Sequence, residues 1–155
     1  GERTVSADMI ADTVSDNARY DAFRLVDVAL TGDARGAIRT LRGLKSEAVQ
    51  PPVLLWALAR EVRLLANLKR DIAGGASVNT ALNQRGVWRS RQTLMQSALQ
   101  RLSGRDLAKM QALTFQADGS SKGFLTGAPW DLIETLVVVM AQGSGVPASK
   151  TERLK

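Results

Sequence analysis

The sequence predicts an all-α protein, a bundle of helices, and three observations lead to that class. Apolar residues recur at three- and four-residue steps through most of the chain, which is the period of one helix face. A convincing run of alternating polar and apolar residues, as a half-buried strand requires, does not occur. Hydrophobic residues make up 45% of the 155 positions but aromatic residues only 5%, which favours a core of Leu, Val, Ala and Met, as in helical bundles.

The first half of the chain is predicted to form four helices, over 5–16, 21–30, 34–44 and 51–70. Ser15-Asp16-Asn17 should break the first from the second, because these residues favour caps and turns. Thr31-Gly32-Asp33 is predicted to be a tight turn, in which Gly32 ends one helix and Asp33 caps the next.

Pro51–Arg70 is the longest helical pattern in the sequence. Two prolines open it, at positions where the first N–H groups of a helix have no partner. Its apolar stripe should make it the central helix of the bundle, and the stripe comprises Leu54, Leu55, Leu58, Val62, Leu65 and Leu68. Charged residues lie largely off this stripe, and three of them are candidate polar or subunit contacts: Arg60, Glu61 and Lys69.

The second half is predicted to form helices over 78–84, 87–102, 104–117 and from Pro129 to about 142. Ser103 and Asp106 have the spacing of a capping box. The helix over 87–102 should turn its basic residues outward, Arg101 among them. The Val-Val-Val run within 136–140 could form a buried strand, but Pro129 and the helical spacing that follows it favour a helix.

Composition removes several classes of chemistry. The chain has no Cys and no His, which excludes thiol nucleophiles, disulfides, Cys/His metal sites and His general bases. We therefore predict neither a metal nor a cofactor. No apolar run approaches the roughly 20 residues of a membrane span. Gly1 in place of an initiating Met indicates a piece of a longer protein.

The remaining catalytic candidates are weak, and we predict that the chain is not an enzyme. Phosphate-loop and dinucleotide fingerprints are absent. The stretch 118–123 has an anion-nest composition, but a flexible turn at a helix end explains it better. Glu61, Asp118 and Glu134 could supply an acid/base pair, yet nothing in their spacing brings them together, and ion pairs are favoured.

Basic residues are the most informative feature. The chain carries a net charge of +6, and residues 51–109 alone carry ten Lys or Arg against three acidic residues. Such charge favours an acidic partner without choosing among nucleic acid, protein and membrane. Arg85, Arg89 and Arg91 surround Trp88, so they could contact phosphates while the Trp stacks on a base. A solvated face with Trp88 turned into the core explains the same residues.

Several segments, taken in order, resemble the delta-subunit family of the bacterial DNA polymerase III clamp loader. The segments are 20–30, Gly32-Asp33 with 37–41, 52–69, Val87-Trp88 with Arg91, and Asp118, Lys122-Gly123, Trp130 and Glu134. No single motif among them is decisive, but their order and spacing are specific from about residue 5 to 142.

The resemblance implies three regions: the end of a helical lid domain (1–17), a collar domain (18–142) and a disordered tail (143–155). The family's N-terminal domain resembles an AAA+ ATPase without working ATPase residues and carries the element that opens the sliding clamp. That domain is not in this chain. The collar is an oligomerisation domain, so the resemblance implies a non-catalytic part of the DNA polymerase III holoenzyme, acting in DNA replication in the bacterial cytoplasm.

The implied partners are the other loader subunits, of the gamma/tau and delta-prime types, with primer–template DNA bound weakly and no membrane. The sliding clamp would be met only through the missing domain. Lys122 and Phe124 fall where family members approach the template exit, so they join Arg85, Arg89 and Arg91 as candidate DNA contacts. Trp130 is assigned to the core. The alternative function is a stand-alone basic helical domain that binds nucleic acid.

Overall fold

The computed structural model describes the backbone of residues 2–143 and the side chains of residues 16–143. The described residues form seven helices and no strand, which confirms the all-α class. In chain order the helices are α1 (Glu2–Leu30), α2 (Ala34–Ser46), α3 (Pro51–Ala73), α4 (Val78–Gln84), α5 (Arg89–Arg101), α6 (Gly104–Ser121) and α7 (Pro129–Gln142). The predicted tail lies outside the described residues, apart from Gly143.

The predicted break at 15–17 is wrong, because α1 runs without interruption from Glu2 to Leu30. Ser, Asp and Asn each cost a helix less than about 1 kcal/mol relative to Ala, and extending a helix that already exists is easy. No Gly or Pro stands there to stop it. The predicted boundary at 17/18 therefore falls within one helix, and the division into lid and collar stays a prediction.

The predicted cap of α2 and the predicted start of α3 are confirmed. Asp33 accepts a hydrogen bond from the backbone N–H of Gly36 at 2.9 Å, and Gly32 has the positive φ, +91°, that the turn requires. Pro51 begins α3, which extends to Ala73, three residues beyond the predicted end. Since α3 packs against α1, α4, α5, α6 and α7, it is the central helix, as its apolar stripe predicts.

In the second half, the capping box of α6 is confirmed. Ser103 Oγ accepts from the Asp106 N–H at 3.0 Å, and Asp106 Oδ2 accepts from the Ser103 N–H at 2.9 Å. α6 continues to Ser121, so the predicted loop starts four residues later than expected. Residues 136–140 lie within α7, which excludes the strand alternative. The core is built almost wholly from Leu, Val, Ala, Ile and Met.

Arg101 does not point outward as predicted. Its Nη2 donates hydrogen bonds to the backbone carbonyls of Leu30, at 3.0 Å, and of Met140, at 3.2 Å. The C-terminal ends of α1, α5 and α7 therefore meet at one guanidinium group, where helix dipoles favour positive charge. Burial lowers the pKa of Arg101. Among the described residues, no helix is both long and apolar enough to cross a membrane.

Candidate interaction surfaces

Two grooves of more than 500 Å³ lie along the central helix α3, one on each side. The charged groove, of about 550 Å³, lies between α1, α3 and the start of α5, and its walls include Phe23, Asp27, Arg60, Glu61, Arg85, Trp88 and Arg91. The aromatic groove, of about 540 Å³, lies between α3 and α6, and its walls include Leu55, Trp56, Arg63, Thr114, Phe115 and Asp118.

Arg91 is the centre of the charged groove. Its Nη2 donates to Asp27 Oδ1 at 2.9 Å and to Glu61 Oε1 at 3.1 Å, so it joins α1, α3 and α5. Glu61 is only 3% exposed, which corrects its predicted position off the buried stripe. Burial raises the pKa of Glu61, and the neighbouring charge of Arg91 opposes that rise. Much of Arg91's charge is therefore taken up within the protein.

Arg85 is also paired. Its Nε and Nη2 bind the two carboxylate oxygens of Asp71 at 2.8 and 3.0 Å, a bidentate arrangement that fixes the turn after α4 to the end of α3. The hydrogen bond from Arg85 lowers the pKa of Asp71. Like Arg91, Arg85 is already paired with a carboxylate, so it should bind an external phosphate more weakly than the sequence indicates.

The rim of the charged groove offers aromatic surface. Trp88 is 77% exposed, so the alternative that turns it into the core is wrong. On the opposite wall, the Arg60 guanidinium lies over the Phe23 ring, 5.7 Å from its centroid. The structure thus brings together four of the predicted site residues: Arg60, Glu61, Arg85 and Arg91.

The other predicted site residues lie outside this groove. Arg89 lines a small depression with Asn79 and Gln92, and Lys69 lines another at the far end of α3. Lys122 forms an ion pair with Asp118 at 2.9 Å at the end of α6, and Phe124 follows in the loop with 81% of its surface exposed. The eight residues therefore do not form one site.

The carboxylates considered for acid/base chemistry each have a basic partner of their own. Glu61 pairs with Arg91, Asp118 with Lys122, and Glu134 with Arg42 at 3.6 Å. Within the part of the chain that the structure describes, no group of three or more acidic residues is placed to hold a metal ion. Trp130 is partly buried and packs against the core, as predicted, with the Lys45 ammonium 5.5 Å from its ring centroid.

Sequence reasoning missed the aromatic groove. The Trp56 ring meets the Phe23 ring edge-on, with centroids 5.3 Å apart, and Arg19 lies 5.7 Å from the Trp56 centroid. Phe115, on the other wall, is 73% exposed, and Tyr20 is exposed one turn before Phe23 on α1. The two rings that line the groove come from α3 and α6, so no local pattern unites them; the available signal is a large aromatic on the polar side of a helix.

Comparison with known proteins agrees with the architecture. A family described as "Processivity clamp loader gamma complex DNA pol III C-term" matches residues 22–145. The DNA polymerase III subunit delta of Escherichia coli (strain K12) is 30% identical over 131 residues, which are 84% of this chain and 38% of that protein. The same subunit of Haemophilus influenzae is 30% identical over 102 residues, which are 61% of this chain and 30% of that protein.

The chain thus spans less than two fifths of the length of these relatives. The family match, by contrast, covers well over half of the chain itself. An all-α bundle, two grooves along its central helix and this match lead to one conclusion: the chain belongs to the family of DNA polymerase III clamp-loader C-terminal regions.

Proposed function

We propose that this chain is a non-catalytic assembly module, which joins other clamp-loader subunits, of the gamma/tau and delta-prime types, in the complex that loads the sliding clamp on primed DNA. The aromatic groove is the observation that carries the proposal. Large aromatic side chains are expensive to leave in water, and binding energy at protein interfaces concentrates on such residues. Trp56 and Phe115 are therefore the proposed anchors.

The charged groove supports the same proposal in a different way. Its ion pairs hold α1, α3 and α5 in a fixed arrangement, so the aromatic walls on the other side of α3 are presented without rearrangement. An interface that is already ordered loses less entropy on binding. We assign Arg60 and Glu61 to this support, and Lys69 remains a proposed contact with a neighbouring subunit.

The stand-alone nucleic-acid-binding alternative is not favoured, because Arg85 and Arg91 are engaged with Asp71, Asp27 and Glu61. Weak contact with primer–template DNA within the loader remains part of the proposal. It would rely on Arg89 beside Trp88, and on Lys122 and Phe124 in the loop after α6.

The domain division is also a proposal, with 1–17 as the end of a lid domain and 18–142 as the collar. The family match begins at residue 22, which supports it. Because α1 passes through the proposed boundary as one helix, the orientation of the lid would be transmitted directly to the collar. The same proposal includes two points that follow from the family resemblance: the sliding clamp is contacted only through the family's N-terminal domain, and this chain does not bind ATP.

The test is co-purification of the 155-residue chain with the other loader subunits. Phe115→Asp should abolish or weaken the complex at least tenfold, since it puts a charge at a proposed anchor. Phe124→Asp is the matched control: it makes the same change at an equally exposed Phe outside both grooves, and we expect the complex to survive it.

Two results would overturn the proposal. One is that the wild-type chain makes no complex with the other subunits. The other is that Phe115→Asp and Phe124→Asp form the complex equally well, which would place assembly elsewhere on the molecule. A filter-binding assay with ATP accompanies these measurements, and saturable ATP binding or hydrolysis by the chain would contradict the non-catalytic assignment.

A further inference from the structure

Helix α2 carries the densest positive charge of the described residues, and neither groove includes it. Its 13 residues contain four basic side chains and no acidic one. All four are exposed: Arg35, Arg39, Arg42 and Lys45. At a rise of about 1.5 Å per residue, they extend along about 15 Å of the helix. The buried face of α2 is a separate apolar stripe, which packs against α1 and α7.

Little inside the described part of the protein neutralises this charge. Counting only the described carboxylates, Arg42 alone of the four has one within 4 Å, Glu134 at 3.6 Å, and that pair is exposed. Such exposed pairs contribute little and are readily exchanged. Lys45 lies over the Trp130 ring, and Arg35 and Arg39 form no ion pair with any described residue. Asp33, the nearest acidic residue before the helix, is engaged in capping it.

A glycine within this charged face has no internal explanation. Gly36 is accounted for, because a Cβ there would collide with the Asp33 carboxylate. A Cβ at Gly43 would meet nothing within 4 Å, although Gly in a helix costs about 1 kcal/mol relative to Ala. Next to Arg39 and Arg42, no side chain projects from the helix at Gly43, so a partner can approach the helix backbone closely there.

The chemistry of the face identifies the class of partner. Hot spots at protein interfaces combine Arg with aromatic anchors such as Trp and Tyr, and none of the exposed large hydrophobic residues lies on α2. Guanidinium groups in a row suit phosphate oxygens, which they bind through two N–H groups at once. The 15 Å row matches the length over which one DNA strand carries about four phosphates along its axis.

We propose that the exposed face of α2, with Arg35, Arg39, Arg42 and Lys45, binds the phosphate backbone of a nucleic acid, at a site separate from both grooves of α3. The contact is electrostatic and reads no base sequence. It is independent of the assembly proposal, because it uses neither Trp56 nor Phe115.

The test is titration of a fluorescein-labelled 20-base-pair DNA duplex, and of one of its strands alone, with the 155-residue chain at several salt concentrations. Arg35→Gln/Arg39→Gln/Arg42→Gln removes three charges from α2. The control, Arg70→Gln/Arg105→Gln/Lys109→Gln, removes three exposed charges elsewhere. We expect at least tenfold weaker binding for the α2 variant, with a salt slope of log K reduced by about 2 to 3. Comparing the affinity for the duplex with that for the single strand shows which of the two the face of α2 prefers.

A second pair of variants guards against loss of folding in the first. Gly43→Glu puts a negative charge within reach of Arg39, and Gly104→Glu puts the same charge at an equally open glycine on α6. Weaker DNA binding for Gly43→Glu alone supports the proposal, with circular dichroism showing that both variants fold. Equal binding by the members of each pair would overturn it. Unlabelled polyglutamate and unlabelled DNA should also be compared as competitors at equal charge. If polyglutamate displaces the labelled DNA as well as unlabelled DNA does, the proposal is overturned and the face is assigned to an acidic protein.

Discussion

Arg91 reaches the buried carboxylate of Glu61 across 3.1 Å, although the two residues are 30 positions apart in the sequence. This pair joins α5 to the central helix. Asp27 adds the first helix to the same guanidinium at 2.9 Å. Three helices are thus tied by one basic side chain. The first two predictions below test this junction, the third tests Arg101, and the fourth tests two glycines of α2.

Removing Arg91 should destabilise the fold, because Glu61 would keep its buried position without its partner. We expect Arg91→Met to lower the free energy of unfolding by about 2 kcal/mol, less than for a fully buried pair because Arg91 is partly exposed. Urea denaturation measures the change. Arg89→Met removes a neighbouring exposed charge and should change stability by less than about 0.5 kcal/mol. Equal effects of the two substitutions would show that the pair contributes nothing.

Glu61 should make stability depend on pH in a defined direction. Its pKa is raised in the folded state, mainly by burial, so the folded protein keeps the proton at a pH where the unfolded chain has lost it. The resulting contribution is fully present below the ordinary glutamate pKa and is lost as pH rises through the higher folded value. We expect the wild-type protein to lose stability relative to Glu61→Gln as the pH rises above about 4.5. A difference independent of pH between 4 and 7 would contradict this.

Arg101 should matter for stability although no carboxylate of the described residues pairs with it. Arg101→Met keeps most of the apolar stem but removes the donor to the carbonyls of Leu30 and Met140. We expect a loss of about 1–3 kcal/mol in the free energy of unfolding, the usual cost of leaving buried polar groups unsatisfied. Thermal and urea denaturation measure it. Arg105→Met, at an exposed position four residues later, is the control and should be nearly neutral.

Two glycines of α2 should respond in opposite ways to the same substitution. Gly43→Ala should stabilise the protein by about 0.5–1 kcal/mol, because the added methyl has open space and Ala favours the helix. Gly36→Ala should destabilise it, because the methyl collides with the Asp33 carboxylate that caps α2. Melting temperatures of the two variants test the pair. A loss of stability with Gly43→Ala would mean that its surroundings are not open.

The sequence predicted the helices well because their signals are local. Pro51 at the start of α3, Asp33 before α2 and the Ser103–Asp106 box each act within four residues of themselves. The break at 15–17 was wrong for a related reason. Weak propensities at three positions predict a cap, but without a Gly or Pro they do not outweigh the continuation of a long helix.

The interaction surfaces were predicted less well because they depend on distant contacts. The sequence alone presents Arg85 and Arg91 as free charges, because their acidic partners are 14 and 30 or more positions away. Trp56 and Phe115 form one groove only after α3 and α6 have packed. Four predicted residues do converge on the charged groove, since α3, the turn after α4 and the start of α5 meet there.

Arg101 should also slow the unfolding of the protein. Its two carbonyl partners lie 71 and 39 positions away, so both hydrogen bonds require α1, α5 and α7 to have assembled first. Contacts of such long range tend to form after the rate-limiting step of folding, and losing them then speeds unfolding while leaving the folding rate nearly unchanged. We expect Arg101 to lengthen the lifetime of the native state, and at protease concentrations high enough that cleavage outpaces refolding, that lifetime sets how long the folded domain resists proteolysis.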